Sequence, residues 1–291
     1  MLAQQLANGL VLGSIYALSA LGFTLIFGAA RVVNFAYGEL LMLGAFVSLT
    51  VMTWSGLPFF AALPLAMAVV AALSVVMYWL TMRPLMRGAY TSLQGELQVI
   101  LVTLGLLYIL REIAVHTWGT APRQMDMGIT GVQMIGDVVM TSQRLVVIAN
   151  MAVLVFVLYW LLYMTRIGKA LRAIAQNREG ALAIGLNTDR IIAFVFAVSG
   201  AMACAAGSLL GTLYAVEPSM GGVPLLKSFV IVIFGGLGSV PGAIVGGLAI
   251  GLVENLTGAY ISFAFKDVFT FLLLIAVLLL RPTGLFGRAS S

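Results

Sequence analysis

Arg166-Ile-Gly-Lys-Ala-Leu-Arg-Ala-Ile-Ala-Gln-Asn-Arg-Glu-Gly-Ala-Leu-Ala-Ile-Gly-Leu-Asn-Thr-Asp-Arg190 is the densest run of charge in an otherwise apolar chain. Residues 144–164 precede it and residues 191–214 follow it, and both stretches are apolar. Each is long enough to cross a bilayer as a helix. A charged loop between two spans makes this a chain woven through a membrane. Inside the loop, Leu171, Ile174, Ala175, Leu182 and Ile184 fall at partly helical spacing. Arg166, Lys169, Arg172 and Arg178 supply the polar surface, and Gly180 and Gly185 punctuate it. Spanning a membrane does not require a short basic amphipathic helix here. Two readings stand: a docking element for a cytoplasmic partner, or a charged anchor lying on the headgroups.

Composition extends this reading to the whole chain. Of 291 residues, 62% are hydrophobic and 9% are charged, against about 25% charged in a soluble domain. Apolar runs of spanning length recur, which predicts an all-α, polytopic membrane helical bundle with about eight or nine segments, discontinuous helices among them. No linker or soluble module interrupts residues 1–291, which read as one transmembrane domain. The net charge of +5 resides in short loops and gives no ground for nucleic-acid binding. Cys204 is the only cysteine and His116 the only histidine. They exclude an internal disulfide, a cysteine metal cluster and a paired-histidine metal site, and no cofactor is expected. Residues 1–10 hold no Lys or Arg, which argues against a cleaved secretory signal.

The apolar segments run over 5–27, 34–52, 58–80, 97–117, 144–164, 191–214 and 268–280, with 225–262 long enough for two short or broken helices. Alternation puts Arg31, Arg83, Arg87, Arg281, Arg288 and the five cations of the loop on one side. Arg123, Arg144, Lys227 and Lys266 fall on the other, and Arg111 lies inside a segment. The positive-inside rule then places the loop and the C-terminus in the cytoplasm and the N-terminus outside.

Three places put polar or helix-breaking residues at membrane depth. The first is Asn34-Phe-Ala-Tyr-Gly38-Glu39. A glutamate inside a span costs a few kcal/mol unless it faces water or a partner. Glu39 therefore reads either as part of a polar pathway or buried pair, or as a residue one turn inside the interface that pairs with Arg31 or supports the helix N-terminus. The second is the run from Gly235 to Gly242, with Gly236, Ser239 and Pro241, which cannot be regular helix throughout. It reads as a gate or as a cytoplasmic turn. The third is Glu254-Asn255, which follows Gly242, Gly246, Gly247 and Gly251. Small residues at this spacing, also seen at Gly9/Gly13 and Gly207/Gly211, read as helix packing surfaces. Arg111-Glu112 reads as a snorkelling anchor in preference to an internal pair. No phosphate-binding GxxxxGK[ST] pattern occurs, so ATP-driven work would need another chain.

Several stretches together resemble one family. Residues 34–44, the loop 166–187, the run 235–242 and the ending Arg281-Pro-Thr-Gly-Leu-Phe-Gly287 are similar to the permeases of branched-chain amino acid ABC importers, LivH type. The likeness covers nearly the whole chain. Tyr37 stands where the family often has histidine. The resemblance implies a multi-pass bacterial inner-membrane permease, not an enzyme. It would work with a second related permease, two cytoplasmic ATP-binding subunits and a periplasmic solute-binding protein. The substrate would be a small molecule, a branched-chain or other amino acid. Urea, amides, aromatic acids or sugars are the alternatives within the superfamily, and a stand-alone transporter or channel the alternative outside it. It also implies ATPase-coupling roles for Gly168, Arg172, Ala173, Asn177, Ala181 and Gly185. The translocation pathway is expected to involve Asn34, Gly38, Glu39, Gly236, Ser239 and Glu254.

Overall fold

The computed structural model describes residues 1–87, 93–136 and 138–287. Arg288 lies outside the described residues, as does the side chain of Arg87. The helices are α1 (Leu2–Ala30), α2 (Tyr37–Ser55), α3 (Phe59–Met77), α4 (Arg83–Arg87), α5 (Leu93–Trp118), α6 (Ser142–Met164), α7 (Arg166–Gln176), α8 (Arg178–Ala183), α9 (Thr188–Leu213), α10 (Gly222–Gly235), α11 (Val240–Tyr260) and α12 (Lys266–Leu280). A π-helical turn, Tyr78–Met82, joins α3 to α4 without a break. Eight stretches among the described residues are long and apolar enough to cross a membrane. The short α10 has 14 residues. That is about 21 Å of helix, less than a hydrocarbon core about 30 Å thick. The nearly all-α bundle thus matches the expected eight or nine segments.

One element departs from expectation. The polar connection after α5 carries an antiparallel hairpin, β1 (Val132–Ile135) with β2 (Val138–Thr141), registered so that Val132 faces Thr141. Four-residue strands leave too little pattern to read against the surrounding loop.

Helix α1 is the axis of the bundle and is mostly buried, whereas α12 buries only Thr270 fully. The packing follows from the glycines. A Cβ at Gly9 would lie 3.0 Å from Leu252 Cα, and one at Gly13 would lie 2.9 Å from Leu248 Cα. Gly247 and Gly251 of α11 press on Ala17 and Gly13 in turn. The two helices therefore run antiparallel at backbone contact, as small residues four apart permit. Helix α9 seats on α2 and α3 in the same way, Gly207 against Leu41 and Gly200 against Ser74. Buried hydroxyls close their bonds across these seams. Ser199 donates to the Gly22 carbonyl at 2.8 Å, Ser74 to the Phe196 carbonyl at 2.7 Å, and Ser48 and Ser208 share a 2.7 Å bond. A bilayer interior offers such groups no water.

Contacts sort the loops to two ends. At one, Arg31 donates to the Ala175 carbonyl, Arg83 pairs with Asp189, and Leu285 and Phe286 donate to the carbonyls of Phe234 and Gly235. At the other, Gln4 bonds Val139, Arg144 reaches Asn8, Arg123 pairs with Val216 and Asn255 donates to Gln5. The chain begins at one end and the tail at Gly287 lies at the other. The first end holds Arg31, Arg83, Arg166, Lys169, Arg172, Arg190 and Arg281, and is the cytoplasmic one by the positive-inside rule.

Candidate translocation and coupling sites

Between Ala30 and Tyr37 the chain doubles back along α1 without forming helix. Tyr37 then donates its hydroxyl to the Ser19 carbonyl at 2.7 Å, and its ring meets Phe23 edge-on at 5.6 Å. Ser19 lies eleven residues before Ala30, so the Tyr37 hydroxyl meets α1 about 16 Å from its cytoplasmic end. Helix α10 starts beside the start of α2. A Cβ at Gly38 would lie 2.6 Å from the Gly221 carbonyl oxygen and 2.8 Å from Leu225 Cβ. Two helix N-termini thus abut inside the bundle, where only glycine leaves room.

Glu39 occupies the first turn of α2 and is 1% exposed. Its Oε1 accepts from Arg111 Nη2 at 2.9 Å. Its Oε2, the Nε of Arg111 and the Nδ2 of Asn34 have no partner, while Asn34 Oδ1 accepts from the Ala36 amide at 3.0 Å. This corrects two expectations. Arg111 is the internal partner of a buried carboxylate and not a snorkelling anchor. Glu39 does not pair with Arg31, because Arg31 caps α1 in the left-handed region, with φ 52°, and turns to α7.

A second charged cluster lies at the outer end of α11. Glu254, 2% exposed, has Oε2 2.9 Å from Lys227 Nζ and Oε1 3.3 Å from Lys266 Nζ. Tyr16 donates to Oε1 at 3.2 Å. Lys227 also meets Asp267 at 2.6 Å. Lys266 lies over the Phe263 ring at 4.3 Å. The cluster borders a cavity of about 560 Å³. Sequence reading took Lys227 and Lys266 for outer-loop cations and passed over Tyr16 and Asp267. Lys227 is in fact 5% exposed, in the second turn of a helix that starts inside the bundle. A lone cation in an apolar run opposite a lone glutamate in another is the signal that would have found the pair.

Gly236 and Ser239 sit at the cytoplasmic end, in the turn between α10 and α11. Ser239 caps α11 by accepting from the Gly242 amide at 3.2 Å. The tail crosses this turn, with Leu285 and Phe286 each donating at 2.9 Å. The six expected pathway residues therefore occupy three places. Asn34, Gly38 and Glu39 come together, Glu254 lies toward the outer end, and Gly236 and Ser239 lie at the inner end.

The loop after α6 folds into two helices, each with a side-chain cap. Thr165 Oγ1 accepts from the Gly168 amide at 3.1 Å, and Asn177 Oδ1 from the Gly180 amide at 2.8 Å. Asn177, between the two helices, makes the bend, and Gly180 lies inside α8. Gly185 does end α8. Its φ is +83°, and Leu186 donates to the Ala181 carbonyl, a Schellman closure that suits glycine. Gly168 and Ala181 are buried, and Arg172 donates to the Leu162 carbonyl beneath it. Ala173 is half-buried, while Asn177 and Gly185 are exposed. The outward surface is instead Ile167, Lys169, Leu182 and Ile184, the last 74% exposed.

Eight spans, helices broken inside the bundle, buried charge pairs and a rigid amphipathic helix pair at the basic end define a polytopic membrane transport subunit. The family model described as "Branched-chain amino acid transport system / permease component" matches residues 5–278. The chain is 35% identical to the high-affinity branched-chain amino acid transport system permease protein LivH of Escherichia coli K12, over 98% of this chain and 95% of that one. It is 34% identical to the corresponding permease BraD of Pseudomonas aeruginosa, with the same coverage. The solved complex "PsaBC from Streptococcus pneumoniae in complex with Fab" contains a chain of similar fold, with TM-score 0.51, 12% identity and coverage of 97% and 93%. The protein belongs to the family of permease components of branched-chain amino acid transport systems. It is a multi-pass inner-membrane protein.

Proposed function

We propose that this chain is the membrane permease through which an ABC importer moves branched-chain or related amino acids. A periplasmic binding protein delivers the substrate, a second related permease completes the membrane part, and two cytoplasmic ATPases supply the work. The observation that carries this reading is the α7–α8 surface. Two capped helices hold Leu182 and Ile184 out at the basic end, 52% and 74% exposed, beside Lys169. Apolar side chains held out from the chain's own packing gain stability when a partner covers them. Arg31 ties α7 to the central helix α1 at 3.1 Å, so movement of the docked helices reaches the bundle axis. Of the residues assigned to coupling, Asn177 and Gly185 set the shape of the docked surface. Gly168, Arg172 and Ala181 fix it to the chain from below, and Ala173 lies between. The proposed pathway passes the junction at Asn34, Gly38 and Glu39 and the cavity beside Glu254. Gly236 and Ser239 would form its inner mouth.

The test is co-purification with identification of the captured subunits, followed by ATP hydrolysis in the reconstituted complex. Ile184→Asp should lower substrate-stimulated hydrolysis about tenfold or more, as loss of an interface anchor does, with the permease inserted at its normal level. Lys169→Glu should weaken capture in a salt-dependent way. Normal coupling in both variants overturns the docking assignment. A bulky residue at Ala181 would test the loop's own packing instead, since that position is 3% exposed.

A further inference from the structure

The cavity beside Glu254 has a composition that its packing role does not require. Leu12, Leu210, Val223 and Phe263 give it apolar walls, and Glu217, Glu254 and Lys266 put two carboxylates and one ammonium at its edge. Glu217 is engaged locally, accepting from the Ser219 hydroxyl. The four charges of the cluster sum to zero, two lysines against Glu254 and Asp267. Their pairings are unequal. Lys227 is nearly buried between two carboxylates at 2.9 Å and 2.6 Å. Lys266 is 27% exposed and reaches one carboxylate, Glu254, at 3.3 Å, the longest ion pair of the cluster. Opening the Glu254–Lys266 contact leaves Lys227 and Asp267 paired, and leaves Glu254 held by Lys227 and Tyr16.

We infer that this cavity is a transport subsite for a zwitterionic α-amino acid with an apolar side chain. The inference rests on the transport reading above. The ligand ammonium takes the place of Lys266 on Glu254, and the ligand carboxylate takes Lys266. The apolar walls cover the side chain. One ion pair is exchanged for two and the cluster stays neutral. A ligand lacking either charge leaves one partner of the opened Glu254–Lys266 contact unmatched. The cavity therefore favours zwitterions through the Glu254–Lys266 pair and apolar side chains through its walls.

The experiment uses the complete transporter, reconstituted with its ATPases and binding protein, in a Cys204→Ser background. Gly258→Cys places a thiol on the cavity wall, where a Cβ has room, its nearest neighbour being Phe263 at 3.7 Å. Labelling of that thiol by a methanethiosulfonate reagent is followed with leucine, with leucinamide and with 4-methylpentanoate. Leucine uptake is measured in parallel. Leucine should slow labelling, and the two analogues, each lacking one charge, should not. Glu254→Gln and Lys266→Met should each weaken leucine protection about tenfold or more, the loss of one charge-assisted hydrogen bond. Uptake of leucine without protection, or protection unchanged in both variants, or equal protection by the analogues, overturns the subsite and leaves the transport reading intact. A complete transporter that takes up no amino acid overturns both.

Discussion

The two buried carboxylates make opposite bargains with the membrane. Glu39 sits where two helices begin, 1% exposed, with one ionic partner. Glu254 is equally buried but has two lysines and a tyrosine around it and a cavity beside it. An ion buried with a single partner is stable only while that partner remains, because desolvation has already been incurred. An ion shared among several partners can lose one and keep its charge matched. Glu39 is thus suited to fixing a junction, and Glu254 to exchanging a partner.

The largest effect should come from cutting the single link. Arg111→Ala leaves Glu39 buried and unpaired, a loss of about 3–5 kcal/mol for a broken buried pair. Thermal unfolding of the detergent-solubilised protein should fall sharply, and the membrane level with it. Glu39→Gln is milder, since Arg111 is 31% exposed and can turn toward water. It should lower transport more than protein level. A double variant, Glu39→Gln with Arg111→Met, should recover much of the stability lost in Arg111→Ala, a coupling that a double-mutant cycle reads directly. If Arg111→Ala is as stable as the parent, the junction is hydrated and the contrast with Glu254 collapses.

Next comes Lys227→Met. Glu254 keeps Lys266 at 3.3 Å and Tyr16 at 3.2 Å, and Asp267, 53% exposed, returns to solvent. The expected loss is about 1–3 kcal/mol, that of a charged hydrogen bond and not of a whole buried pair. Equal melting of Lys227→Met and Arg111→Ala would mean that Lys227 alone carries Glu254, and the shared-partner account would fail.

The sequence made the bundle legible because apolar length is a strong signal and a bilayer tolerates little else. It also picked out both glutamates, since a carboxylate in an apolar run is costly unless it faces water or a partner. Their partners were not legible. Arg111 lies 72 residues from Glu39 and Lys227 lies on a different helix from Glu254. Pairing across helices depends on where α2 and α10 begin, and those starts follow from Gly38 meeting Gly221. No local pattern encodes that contact. The coupling loop divided in the same way. Its amphipathic character was plain, but which residues faced out was not. The family resemblance assigns Gly168, Arg172 and Ala181 to docking, yet they face the chain's own α6 or are otherwise buried.

The smallest effect should come from Tyr16→Phe. The substitution keeps the ring, which is 5% exposed in the α1 core, and removes only the hydroxyl that donates to Glu254 Oε1. At 3.2 Å this bond is longer than the 2.9 Å contact from Lys227 to the same carboxylate. The deleted group leaves no unpaired charge, because both lysines remain. The stability loss should therefore stay near the net value of one hydrogen bond, about 0.5–1.5 kcal/mol, and show as a small shift in melting. Transport should respond differently. If Glu254 exchanges Lys266 for an incoming ammonium, Tyr16 is one of two groups that hold the carboxylate during the exchange. Its loss should then raise the leucine concentration needed for half-maximal protection of the Gly258→Cys thiol several-fold, while melting barely moves. A shift in melting with unchanged protection would place Tyr16, and with it this face of Glu254, among the packing residues, and the two carboxylates would then differ in degree only.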